Sequence, residues 1–156
     1  MAREHEYTSL IEWTGNRGEG TTGFKSFDST WDISTPGRTV IHCSTPPSFG
    51  GDRNKPNPED LLLSALSACH MLWYLHLAVK AGIVVQSYQD NPVGYSEVDS
   101  SGIGRFDRAV LRPQIEVGEG TDLEKADSIH QEIHKYCFIA RSVNFPVTYE
   151  ASYIEQ

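Results

Sequence analysis

Cys69 and Cys137 are the residues of this chain whose chemistry can be named first. A reactive cysteine pair needs a thiolate as attacker, positive charge nearby to favour that thiolate, and a second thiol within disulfide reach. Cys69 lies in a long apolar segment, on a stripe with Leu62, Ala65, Leu66, Leu72, Trp73 and His76. Cys137 closes a second amphipathic segment on the face that carries Ile133 and His134. Two helices each offering one thiol can bring them together. Taken alone, Cys69 also reads as a small buried hydrophobe, because free cysteine is among the most buried residue types.

A second constellation is His130, His134 and Cys137, spaced i, i+4 and i+7 on one helical face, all of them zinc-ligand types. The intervening acid is Glu132, so the run is His-x-Glu-x-His, not the His-Glu-x-x-His of zinc proteases, and a fourth ligand is not in sight. No metal is expected, and these histidines are expected at a solvated or dipole-stabilised helix edge. His70 adjoins Cys69, but neighbours on a helix diverge by about 100°, which makes it a poor base for that thiol. Cys43, on a short β-rich piece, is expected to pack structurally.

Two helices and a set of strands must position these groups. The first helix is expected near 58–81: Asn57 caps it, Pro58 suits the first position, Glu59 and Asp60 face the positive dipole end, and Lys80 with Gly82 close it. The second spans about 122–137, with Leu123, Ala126, Ile129, Ile133 and Cys137 at helical spacing behind Thr121 or Asp122 as cap. Before the first helix, His5–Trp13, Thr21–Phe27 and Thr39–Cys43 read as a strand meander. Residues 44–58, with four prolines and Gly50-Gly51, read as an irregular connection. Between the helices, Ile83–Asp90, Tyr95–Val98 and a long strand Arg105–Val117 make a hairpin pair with Pro113 towards an edge, and Ser142–Tyr153 ends the chain as a strand. The fold class is α+β.

Composition sets the limits. With 156 residues, a single domain over 1–156 is expected. Twenty-one acidic against 13 basic residues, a net charge of −8, argue against nucleic acid, where counterion release rewards clustered Lys and Arg. Three widely spaced cysteines lack the dense even framework of small secreted proteins and favour a reducing compartment. The stretch Met1–Thr8 has no apolar run of the secretory type, so export is not expected and the cytoplasm is. Leu61–Val79 carries no formal charge and approaches bilayer-spanning length, yet Ser64, Ser67, His70 and His76 lie inside it and no basic cluster flanks it. A buried central helix, not a membrane span, is expected.

The run Asn57-Pro58-Glu59-Asp60-Leu61-Leu62-Leu63, leading through Ala65 to Ala68-Cys69-His70, and the later His134-Lys135-Tyr136-Cys137 together resemble the OsmC/Ohr family. These are the osmotically induced and organic hydroperoxide resistance proteins. The opening Trp13-x-Gly15-x-Arg17-Gly18-x-Gly20-Thr21 is similar to that of the osmotically inducible branch. Cys137 is followed by Phe138-Ile139-Ala140 where many members place a proline.

The resemblance implies an intertwined α+β homodimer with two active sites at the subunit interface, needing no cofactor and reducing organic hydroperoxides and, less efficiently, hydrogen peroxide. It makes Cys69 the peroxidatic cysteine, Cys137 the resolving one, Glu59 the helix-start glutamate and Arg17 the arginine that steadies the thiolate, with Arg38 and Arg53 as other candidates for that arginine. Cys69 and Glu59 are separated by about 15 Å along a straight helix, so a shared site needs the glutamate of a second copy. The implied chemistry runs from Cys69 thiolate through an alcohol leaving group and a sulfenic acid to a Cys69–Cys137 disulfide. An external dithiol, by resemblance a dihydrolipoyl protein, reopens it. Leu66, Trp73, Phe138 and Phe145 are candidates for an apolar entrance. The other reading, from a different class, is a small-molecule or lipid-like ligand-binding protein on the same fold whose cysteines are incidental.

Overall fold

Asn57 and Asp60 open the longest element of the chain by capping each other: the Asp60 amide donates to Asn57 Oδ1 at 2.9 Å and the Asn57 amide donates to Asp60 Oδ2 at 3.2 Å. This reciprocal arrangement satisfies two amides that a helix start leaves unpaired. The helix that follows, α1, spans Pro58–Ala81 as its local signals predict. It ends where Gly82 takes a left-handed φ of 73° and the Ile83 amide donates to Ala78 O at 2.9 Å. The computed structural model describes residues 3–156, so Met1 and Ala2 of the N-terminal stretch lie outside the described residues. The chain forms two compact units, Met1–Leu61 and Leu62–Gln156.

The first unit is built on an antiparallel sheet of β1 (Leu10–Trp13), β2 (Thr30–Ser34) and β3 (Ile41–Ser44), in that order. Trp13, Trp31 and Cys43 share one register line across it. Cys43 is fully buried, and burial raises its thiol pKa. The strand expected over Thr21–Phe27 is absent. There Asn16 Oδ1 takes the amides of Gly18 and Gly20, and Ser26 Oγ bonds to the carbonyls of Gly20 and Gly23 at 2.7 and 2.8 Å. These short side chains give the backbone an alternative to a ladder, leaving one bridge between Asn16 and Phe27. The middle strand is β2, which the sequence reading passed over. Residues 44–58 form the expected irregular connection, with a 3-10 turn over Pro47–Phe49 and a left-handed Gly50.

In the second unit two three-stranded sheets share a pattern. Strands β4 (Val85–Asp90), β7 (Pro113–Val117) and β9 (Ser152–Glu155) make one, in that order. Strands β5 (Val93–Val98), β6 (Gly104–Leu111) and β8 (Val147–Tyr149) make the other. The single strand expected over Arg105–Val117 is therefore two strands in different sheets. The break falls at Arg112, whose amide is taken by Asp90 Oδ1 at 2.6 Å and whose Nε lies 3.0 Å from Glu150 Oε2. Pro113 follows as the first residue of β7, the middle strand of its sheet and not an edge; a strand's first residue tolerates proline there. The expected C-terminal strand is likewise divided, at Glu150 and Ala151.

Helix α2 (Leu123–Ile133) is capped by Asp122, which accepts the Lys125 amide at 3.0 Å. It is shorter than expected, because after Ile133 the chain tightens, with the Lys135 amide on Glu132 O and the Tyr136 amide on Ile133 O. The core of this unit joins Tyr74 and Ala78 of α1, Ile115 and Val117 of β7, Ala126, Ile129 and Ile133 of α2, and Cys137. The buried stripe of α1 is Leu66, His70, Tyr74 and Ala78, spaced by four residues. Leu72 and His76, expected on the inner face, are exposed.

Candidate functional site

Cys69 and Cys137 come together in the second unit. Cys69 is half-buried on α1 and packs against the core cluster that contains Cys137. Cys137 is buried just beyond α2, its amide held by Ile133 O at 2.9 Å and its Sγ accepting the Ala140 amide at 3.4 Å. Trp73, one turn after Cys69, stacks on Tyr136, the residue before Cys137, at 4.9 Å between ring centres. That stack joins α1 to the end of α2 at the level of the thiols. Both cysteines are free, and burial first, then a hydrogen bond to Cys69, push the Cys137 thiol up to about 11. Cys137 is thus held as a neutral thiol beside Cys69.

The other anticipated residues belong to the first unit. Glu59 is exposed in the first turn of α1. The Arg17 guanidinium bonds to the carbonyls of Lys25 and Ser26, with the Asp28 carboxylate 3.9 Å away. Its partners are thus in its own loop, and among the described residues it makes no bond to Glu59. Arg38 and Arg53 are exposed. Of the anticipated entrance residues, Leu66 is buried, Trp73 stacks on Tyr136, Phe145 stacks on Phe106 and Phe138 is exposed.

His130 departs from expectation. It is 2% exposed, not at a solvated edge, and both its ring nitrogens have partners: Nδ1 lies 2.7 Å from His70 Nε2 and Nε2 lies 3.1 Å from Tyr153 Oη. A nitrogen so engaged is not free for zinc. Among the described residues no group of three His, Cys, Asp or Glu is arranged to hold a metal. His134 caps α2 and is exposed. The sequence reading missed the His70–His130 pair; the available signal was the spacing of four that puts His70 between Leu66 and Tyr74. Burial holds both rings below the ordinary imidazole range, His70 at about 4 and His130 at about 3. Beside them a cavity of about 140 Å³ is lined by His70, His130, His134, Cys137, Thr148 and Tyr149 among others.

Helix α1 is long and apolar enough to cross a membrane by length and composition. Only 22% of that apolar stretch is buried, so it is not the buried central helix expected: one stripe, with His70 bonded to α2, packs on the protein and the opposite face is open.

An α+β chain whose long helix sets one cysteine against a second cysteine at the end of a shorter helix defines a class of two-cysteine proteins. The chain belongs to the OsmC-like protein family, which it matches over residues 50–152. It is similar to the OsmC-like protein VCA0330 of Vibrio cholerae O1 biovar eltor str. N16961, a protein of unknown function: TM-score 0.84 and 30% identity, covering 96% of this chain and all of that one. It is 21% identical to the uncharacterized protein YmaD of Bacillus subtilis (strain 168), covering 96% of this chain and 95% of YmaD. It also shares its fold with an organic hydroperoxide resistance protein of Elizabethkingia anophelis, at TM-score 0.68 and 16% identity, covering 99% of this chain and all of that one.

Proposed function

We propose that this protein is a cysteine-based peroxidase that reduces organic hydroperoxides to alcohols. The observation that carries the reading is the juxtaposition of half-buried Cys69 on α1 and buried Cys137 beyond α2, whose thiol pKa is raised by burial and by Cys69. Cys69, the more accessible sulfur, is the attacker. Its thiolate displaces the alcohol from the peroxide and becomes a sulfenic acid, and Cys137 condenses with it to a disulfide with loss of water. An external dithiol, of which a dihydrolipoyl protein is one, returns the pair to thiols. The hydroperoxide resistance protein of E. anophelis, which has the same fold, supports this reading.

In this reading the chain is one OsmC-like domain, soluble and cytoplasmic, and works as a homodimer. The open face of α1 supports the dimer: Leu72 is 62% and Val79 78% exposed, in line with Ser64, Ala68 and His76. A second copy would supply Glu59 and Arg17 to the cysteines, with Glu59 orienting the guanidinium by a charge-assisted fork.

The test is to reduce the protein, add one equivalent of cumene hydroperoxide, and follow peroxide loss and intact mass. Wild type is expected to lose about two daltons as the disulfide forms, Cys69→Ser to stay inert, and Cys137→Ser to overoxidise. A wild type that consumes no more peroxide than Cys69→Ser would sink the proposal and favour a ligand-binding role for the same fold.

A further inference from the structure

The two-thiol scheme gives the buried His70–His130 pair no task, yet the pair is well built. The rings lie edge to edge, 5.0 Å between centres and 11° between planes, with His70 Nε2 2.7 Å from His130 Nδ1. The row continues to the Tyr153 hydroxyl at 3.1 Å from His130 Nε2; Tyr74, whose ring lies 4.5 Å from that of His130 between centres, donates its own hydroxyl to Ala126 O at 3.2 Å.

A neutral imidazole carries one N–H and one bare nitrogen. Two arrangements therefore satisfy this row. In one, His70 Nε2–H donates to His130 Nδ1 and His130 Nε2–H donates to Tyr153. In the other, Tyr153 donates to His130 Nε2 and His130 Nδ1–H donates to His70. Exchange between them carries a proton along the row and leaves no charge on either ring.

The cavity that His70 and His130 line also contains Cys137, and at about 140 Å³ it has room for a few water molecules. We infer that the His70–His130 pair is a proton relay for disulfide formation, taking the Cys137 thiol proton at His70 through the cavity and passing a proton along the row to Tyr153, which lines an open pocket at the surface, while the hydroxide expelled from the more accessible Cys69 takes a proton from solvent; it rests on the peroxidase reading of the two cysteines. The S–S bond forms as the S–O bond breaks, both electrons of that bond leave with the hydroxide, and the products are one disulfide and one water.

The need for such a relay follows from the Cys137 thiol. Burial raises that thiol above its ordinary range, and only the thiolate attacks, so its proton must be taken away as the S–S bond forms. The rings, held neutral by burial, keep a bare nitrogen at neutral pH. The groups facing them are Asp90 of β4, which draws the His70 pKa upward, Tyr74 of α1, Tyr149 of β8 and Tyr153 of β9, with Asp127 of α2 acting on the tyrosines.

The test is a single turnover of reduced wild type, His70→Asn and His130→Gln with one equivalent of cumene hydroperoxide, timing cumyl alcohol and disulfide separately. The relay predicts that the disulfide step slows by about tenfold or more while alcohol release does not. Dimedone-trappable sulfenic acid then accumulates on Cys69. In the variants the disulfide rate should climb about tenfold per pH unit as hydroxide replaces the relay, against a flatter wild-type profile. An unchanged disulfide rate in either folded variant overturns the relay. If both variants unfold, wild type decides alone, since a solvent isotope effect of about 2 or more is expected on its disulfide step and an effect near unity refutes the relay. A wild type that releases no alcohol removes the peroxidase reading and the relay together, whereas normal alcohol release with an unimpaired variant disulfide removes only the relay.

Discussion

Cys69, in the middle of α1, is the neighbour that acts on the buried thiol of Cys137 beyond the end of α2. Burial is the larger cause of the raised Cys137 pKa and Cys69 the smaller. Removing Cys69 by substitution to Ala should therefore lower the Cys137 pKa yet leave it above the ordinary thiol value of about 8.5. Alkylation by iodoacetamide, followed by mass across pH 7 to 11, measures it. A Cys137 in Cys69→Ala that titrates at or below the ordinary value would mean that burial does not govern this thiol.

Gly15 has no space for a side chain. A Cβ there would lie 1.7 Å from Asp28 O and 2.7 Å from Trp13 Nε1. Asp28 cannot retreat, since its amide donates to Gly15 O and its carbonyl accepts the Trp13 indole, each at 2.9 Å. Gly15→Ala is expected to destabilise by about 2–4 kcal/mol. Gly23→Ala, with nothing within 4 Å of its Cβ, should stay close to wild type. Equal urea midpoints for the two would contradict the close approach.

Legibility in the sequence followed the range of the interactions. The limits of α1 are written in Asn57-Pro58-Glu59-Asp60 and in Lys80 and Gly82, all within a turn of the ends they define. The break between β6 and β7 is not local, because it depends on Asp90 and Glu150 reaching Arg112 from other strands. The inner face of α1 is hidden in the sequence for a related reason: a helix so apolar has several candidate stripes, and long-range contacts such as His70 with His130 and Tyr74 with Ala126 select one. By type and spacing His130 reads as a polar or metal-binding residue, whereas a histidine supplied with two hydrogen-bond partners packs as core. The two cysteines were legible as types; their contact required the pairing of both helices.

Asp90 is the hinge of the strand break, one oxygen accepting the Ser67 hydroxyl at 2.5 Å and the other the Arg112 amide at 2.6 Å. Asp90→Ala leaves a partly buried amide and hydroxyl without their acceptor and should cost about 2–3 kcal/mol. Ser67→Ala should cost about 1 kcal/mol. In the double variant the losses should fall short of additivity by about 1 kcal/mol, read from urea unfolding. Strict additivity would show that the Ser67–Asp90 bond contributes nothing.

The buried histidine pair should make stability depend on pH well above the carboxylate range. Imidazoles in the unfolded chain titrate near 6.5, whereas in the fold His70 is lowered to about 4 and His130 to about 3. Below pH 6.5 the unfolded state therefore binds protons that the folded state refuses, so the stability is complete above that value and is lost as pH falls towards 4. Each ring contributes a slope of about 1.4 kcal/mol per pH unit in this window, and His70 alone accounts for roughly 3 kcal/mol by pH 4. Most carboxylates stay ionised between pH 6.5 and 5, so urea midpoints across that interval report chiefly on the histidines. Wild type should lose stability steeply there, and His130→Gln, with one ring fewer, along a shallower line. Parallel lines for the two proteins would show that His130 is not held neutral by burial, since a histidine that titrates alike in both states contributes no slope.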